Sequence, residues 1–224
     1  AVCDRRDQDS HGTWMGTEGE IWRGTYVDNM VLSQTQSLMI KFYPTDIPGL
    51  IIIEPQVFAD ERGFFMETYS EEMYISGSIN VRFVQDNHSK SSKGVLRWLH
   101  FQSEYPQAKL VRVTRGSVYD VAVDLRIDSP TFWQWHGVLL SALNKLQFFV
   151  PAWFAHGFLT LEDDTEFLYK CSNYYDKPSE WGIRYDDGDL AIDWTKYMSA
   201  DRFIISARDS SLQTFSEFTQ HNPF

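Results

Sequence analysis

"KLVRVTRGSVYDVAVDLR", residues 109–126, alternates apolar and polar side chains on either side of an Arg115-Gly116 step. In an extended chain successive side chains point to opposite faces. Glycine supplies the backbone freedom a tight turn needs. The stretch therefore predicts two antiparallel strands joined as a hairpin at Arg115-Gly116. On the second strand Asp120, Ala122 and Asp124 share one face.

The same grammar runs outward in both directions. "LIIIEP" (50–55) is a strand stopped by proline, and "GFFMETY" (63–69) follows the turn residues "DERG". "VRFVQ" (81–85) follows Ser76-Gly77-Ser78, while "LQFFVP" (146–151) and "TEFLYKCSNYY" (165–175) add two more strands. Helical periodicity is nearly absent before residue 190. Many short strands at regular spacing predict an all-β fold, an antiparallel sandwich or barrel. The tail "DRFIISARDSSLQTFSEF" (201–218) reads as turns and one short helix laid over it. Residues 1–38 lack periodicity and aliphatics and read as a loosely ordered N-terminal extension. Residues 39–224 read as one domain.

Composition narrows the function. The 224 residues are 43% hydrophobic and 16% aromatic, enough for a single core with aromatics left to line a pocket. A net charge of -11 argues against a nucleic-acid surface, which needs a basic face. It leaves room for a small anion held by a few local arginines. Only Cys3 and Cys171 are present, so a disulfide framework is not implied and a reducing, cytoplasmic setting is the simpler reading. No apolar run is long enough for a membrane span, and no leader is visible after Ala1.

Chemistry enters at "GVLRWLHFQ", residues 94–102, where His100 sits inside an apolar strand. In "FAHGF" (154–158) His156 shares a face with Phe154 and Phe158. In the strand after Thr165, Phe167, Tyr169, Cys171, Asn173 and Tyr175 share another. A barrel face mixing Tyr, Asn and His with aromatics reads as a pocket lining. Two such histidines with Tyr169 suggest acid–base work, with Asp120, Asp124 or Asp209 as the carboxylate behind a histidine base. Arg62, Arg97, Lys109 and Arg208 recur in polar company and could cradle a phosphate. Strict alternation puts Arg97 and His100 on opposite faces, so either a bulge intervenes or Arg97 serves another part of the ligand. A metal barrel would need a His-x-His pair. Residue 102 is Gln, and no such pair exists anywhere in the chain. We therefore read the barrel as metal-free.

Five stretches carry a family resemblance: "FADERGFFMETY", "VRFVQDNHSKSSKGVLRWLHFQ", "KLVRVTRGSVYDVAVDLRIDSPTF", "FAHGF" and "FLYKCSNYY". Colinear from residue 40 to about 224, they resemble the dTDP-4-dehydrorhamnose 3,5-epimerase family, the RmlC type of cupin. The resemblance implies a cupin-type jelly roll, a homodimer and no cofactor. It implies a dTDP-4-dehydro-6-deoxy-D-glucose substrate inverted at carbons 3 and 5, or a relative acting at one carbon, or a silent sugar-nucleotide binder. It implies His100 as base, Asp209 as its carboxylate, Tyr169 as the acid on the other face of the sugar, and Lys109 at the ketone oxygen. Arg62, Glu67, Gln85, Asn87, Arg97, His156, Glu180 and Arg208 would contact nucleotide and sugar. Arg208 stands where some members have lysine. Tyr175 would stack on thymine.

The chain departs from the family at four places. "LRWLH" stands for "LRGLH", and Trp133 in "TFWQW", Trp153 in "PAWFAHGF" and Trp181 in "SEWGI" also stand at glycine positions. Each exchange replaces the smallest side chain with the largest. By parity Trp98 leans to the side of His100. Three readings stay open: a site reshaped for another sugar, a non-catalytic relative, or UGA codons that mean glycine written out as tryptophan. The third would extend to Trp14 and Trp22.

Overall fold

The computed structural model describes residues 40–209 and 212–220. The extension 1–38, with Trp14 and Trp22, lies outside the described residues. Thirteen strands are described: β1 (Lys41–Pro44), β2 (Ile51–Glu54), β3 (Val57–Asp60), β4 (Gly63–Met66), β5 (Gln85–Ser91), β6 (Leu96–Gln102), β7 (Lys109–Arg115), β8 (Ser117–Asp124), β9 (Trp135–Ser141), β10 (Gln147–Val150), β11 (Phe154–Thr160), β12 (Thr165–Cys171) and β13 (Glu180–Ile183). Two short helices, α1 (Glu71–Ser76) and α2 (Phe215–Gln220), accompany them. One sheet has the order β1-β2-β10-β7-β12-β5 and the other β13-β6-β11-β8-β9. All these neighbours pair antiparallel, and the fold is an all-β, cupin-like jelly roll.

The stretch 109–126 folds differently from the hairpin its pattern predicts. β7 pairs with β10 and β12, whereas β8 pairs with β11 and β9, so the two strands belong to different sheets. Gly116 is a corner. Its φ is +74°, and a Cβ there would collide with Thr165 Oγ1 and lie 3.1 Å from Thr165 Cα. The physical reason is burial. Every residue of β8 is buried, and its two faces serve two cores. Val118 and Ala122 meet Val111, Val113, Phe148 and Phe167 between the sheets. Tyr119, Val121 and Val123 meet Trp194, Phe215 and Phe218 outside. The tail thus covers the five-stranded sheet, as its composition suggests. A third cluster, including Ile51, Ile53, Leu110, Phe149 and Tyr74, seals the outer face of the six-stranded sheet.

Two further details depart from the sequence reading. The strand expected over 81–85 begins only at Gln85 and runs through "QDNHSKS", which carries polar residues on both faces. Val81 and Phe83 pack instead against the third cluster. The six-residue helix α1 is too short to show a periodicity.

The register of β6 against β11 settles the Arg97–His100 question. His156 opposes His100 and Phe158 opposes Arg97, so β6 carries one more residue over that span. A β-bulge therefore returns Arg97 to the face of His100. It also turns Trp98 and Leu99 outward into the tail-covered core, where Trp98 lies 4.9 Å from the Tyr185 ring. Trp98 therefore does not lean toward His100 as parity predicts. Gly157 admits the bulge, since a Cβ there would sit 2.7 Å from the Arg97 carbonyl oxygen.

The corner at Gly116 gives a stability prediction. Gly116→Ala should cost about 2–4 kcal/mol, combining left-handed strain with overpacking against Thr165. Gly188→Ala, with nothing within 4 Å of its Cβ, should change stability by no more than about 0.5 kcal/mol. Urea denaturation of both variants measures this, and equal losses at the two positions would contradict the corner.

Candidate active site

Between the two sheets lies a cavity of about 530 Å³. Its lining combines Arg97, His100 and Gln102 from β6, His156 and Phe158 from β11, Lys109 from β7, Phe167 and Tyr169 from β12, and Glu180 from β13, with Tyr175, Arg208 and Asp209 from the loops that follow. His100 therefore stands on the wall of the five-stranded sheet. Lys109 and Tyr169 stand on the wall of the six-stranded sheet.

His100 is only partly exposed and lies between two carboxylates. Nε2 is 3.1 Å from Asp209 Oδ1, and Nδ1 is 3.6 Å from Glu180 Oε1. The second distance is too long for a hydrogen bond, and Nδ1 is buried with no hydrogen-bond partner. Burial alone would push the Asp209 carboxyl up, but the hydrogen bond and charge of His100 outweigh it and hold it below the usual carboxylate range. Glu180 behaves likewise: burial is overcome by hydrogen bonds from Tyr175 Oη and Arg208 Nη2, both at 2.5 Å. Because both values are depressed, the stability these carboxylates contribute is present above their ordinary pKa and is lost as pH falls through the lowered one.

On the facing wall burial dominates. It pushes the Lys109 ammonium below its ordinary value, against the pull of Cys171, Asp120 and Glu180. It pushes the Tyr169 phenol up. Tyr169 therefore keeps its proton at neutral pH, and desolvation works against the charge of Lys109 at the cavity wall.

His156 also lines the cavity, but it is bound to a carboxylate of its own. Its Nε2 lies 2.8 and 3.0 Å from the two oxygens of Asp120, and both side chains are buried. Of the three carboxylates weighed for a histidine base, Asp209 thus belongs to His100 and Asp120 to His156. Asp124 is held by Arg126, Ser129 and Thr131. Gln102 ties down the rim of the cavity. Its amide nitrogen donates to the Tyr105 and Tyr174 carbonyls, and its oxygen accepts from Asp176 N–H, which fixes the loops there. Among the described residues no group of three or more His, Cys, Asp or Glu could hold a metal ion.

The remaining candidates sit outside the cavity. Gln85 accepts from Tyr175 N–H and donates to Asn87 at the edge of the site. Asn87 lines a neighbouring depression with Thr68, Arg112 and Lys170. Arg62 is exposed on the β3–β4 turn, paired with Asp60 at 2.6 Å, and neither it nor Glu67 lines the cavity. Phe58, Phe64 and Phe65 of the same hairpin are 45%, 59% and 69% exposed.

A family profile described as dTDP-4-dehydrorhamnose 3,5-epimerase matches residues 44–217. The chain belongs to the dTDP-4-dehydrorhamnose 3,5-epimerase family. It is similar to the family's member from Methanothermobacter thermautotrophicus, at 51% identity over 79% of this chain and 95% of that one. It is 52% identical to the Escherichia coli member over 77% of this chain and 93% of that one. A solved structure of dTDP-6-deoxy-D-glucose-3,5-epimerase from Legionella pneumophila, in complex with dTDP-4-keto-L-rhamnose, is 47% identical. It superposes with a TM-score of 0.76 over 80% of this chain and 94% of that one. Members of this family are isomerases.

Proposed function

We propose that the chain converts dTDP-4-dehydro-6-deoxy-D-glucose to dTDP-4-dehydro-L-rhamnose, inverting carbons 3 and 5, as a step of dTDP-L-rhamnose biosynthesis. One observation carries this reading. A histidine–carboxylate pair on one cavity wall faces a protonated tyrosine and a partly buried lysine on the other. Inversion beside a ketone needs a base on one face of the sugar, an acid on the opposite face, and a cation at the ketone oxygen.

In this reading Asp209 pairs with the His100 ring, orients it and stabilises the imidazolium that forms. The imidazole takes the proton from carbon 3 or 5. The C–H electron pair forms the enolate double bond, and the carbonyl electrons move onto the oxygen at carbon 4. Lys109 stabilises that oxyanion, a contribution typically worth about 2.7–4 kcal/mol for one donor. Tyr169 then delivers a proton to the opposite face, leaving an imidazolium and a phenolate that solvent resets. No cofactor enters these steps. Arg97 and Arg208 suit the diphosphate, Tyr175 the flat thymine, and Glu180 orients Tyr175 and Arg208 by hydrogen bonds to both. Gln85, Asn87 and His156 supply polar contacts to nucleotide and sugar. A silent binder has no use for the base, acid and oxyanion partner together.

The reading includes a homodimer and a cytoplasmic setting. Arg62 and Glu67 fall outside their own chain's cavity, on or beside a hairpin bearing three exposed phenylalanines. A second copy would bury those rings and receive Arg62 and Glu67 at its own site. The free Cys171 thiol suits that cytoplasmic setting.

Two measurements test the proposal. His100→Asn should fold normally, bind dTDP nearly as well, and lose solvent deuterium exchange at both carbons, by roughly 10²–10⁴-fold. A variant that melts early yet exchanges normally per folded molecule would make His100 a core residue. Wild-type label at one carbon only would mean a single-carbon epimerase. For the assembly, equilibrium sedimentation should give twice the chain mass, and a monomer with full activity would refute the shared site.

A further inference from the structure

We infer that positions 98, 133 and 153 are glycine in the working protein, read from UGA codons that its organism decodes as glycine. The six tryptophans among the described residues divide into distinct groups. Trp135 and Trp194 behave as half-buried and buried indoles do: Nε1 donates to the Leu190 carbonyl at 3.0 Å and to the Tyr185 carbonyl at 2.9 Å. Trp133 and Trp153 instead have φ of +64° and +71°. In this region a Cβ crowds the following carbonyl oxygen, so a bulky residue there is an outlier and glycine is at ease.

The backbone of the surrounding loops is hydrogen-bonded in this conformation, and the Trp133 ring packs on Phe132 and Phe215 beside it. Around Trp133 the backbone is tied by Phe132 N–H to Ser129 O, Trp133 N–H to Asp124 O at 2.7 Å, Gln134 N–H to Thr131 O and Asp124 N–H to Gln134 O. The Trp153 carbonyl accepts from Leu125 N–H at 3.1 Å. These bonds are all made by backbone groups, which glycine supplies equally well. Among the described residues five other non-glycine residues share the left-handed region: Ser78, Tyr105, Lys145, Asp164 and Ala191. Only the tryptophan type occurs there twice, and it is the largest side chain at the conformation that suits the smallest.

Trp98 fails on a different count. It occupies the β6 bulge, 2% exposed, and its buried Nε1 has no hydrogen-bond partner. Buried indole N–H groups ordinarily find one. Position 153 belongs to the cavity wall, so its identity bears on the space left for substrate. Independent mutations to tryptophan at three unlike sites would each need the same improbable exchange. One reassigned codon produces all of them, because UGA is read as tryptophan in some genetic codes and as glycine in others. Trp181, in ordinary strand backbone, fits the same reading on sequence grounds alone.

The test reads the gene and the native protein together. The codons at 98, 133 and 153 should be UGA, those at 135 and 194 should be UGG, and peptides of the protein made in its own organism should carry the mass of glycine at the first three positions. UGG at any of positions 98, 133 or 153, UGA at 135 or 194, or a tryptophan mass in the native peptides overturns the inference.

Discussion

One extra residue in β6 decides what the cavity can do. Without the bulge, Arg97 and His100 would face opposite sides of the sheet, and the two side chains could not enter one cavity. With it, both enter the cavity, while residue 98 and Leu99 turn away from it toward the outer core. The bulge in turn depends on Gly157, the residue of β11 that faces it without a Cβ. A packing constraint on one strand thus places the chemistry of its neighbour.

The walls then divide the labour. The five-stranded sheet brings His100, and the tail that closes over it returns Asp209 to that histidine, more than a hundred residues away in sequence. The six-stranded sheet brings Lys109 and Tyr169. Burial disfavours the charged form on both walls. Hydrogen bonds overcome it at Asp209 and Glu180 and keep them ionised. Nothing comparable overcomes it at Lys109 and Tyr169. A molecule of net charge -11 therefore concentrates Arg97, Lys109 and Arg208 where an anionic ligand would sit.

Most strands were legible because period-2 alternation reports a half-buried sheet. β5 was not, since "QDNHSKS" is polar on both faces at a sheet edge. The Gly116 step was legible as a turn but not as a corner. Two strands that alternate correctly look alike whether they bond to each other or face each other across a core. The site was legible in part from residue types: His100, His156 and Tyr169 stood out as polar groups on apolar faces. Asp209 was one of three carboxylates the residues left open and Arg208 one of four basic candidates, whereas Glu180, on a short edge strand, was singled out by the resemblance alone. No pattern in the sequence says that Arg62 and Glu67 fall outside the cavity. That fact belongs to the path of the β3–β4 hairpin.

If base and acid stand on opposite walls, removing the acid should separate two events that normally occur together. Tyr169→Phe, assayed in deuterium oxide, should still exchange the proton at carbon 3 or 5 through His100 but return the label to the original face. Labelled substrate with unchanged configuration is the predicted result. Inversion at an undiminished rate would contradict the two-wall arrangement.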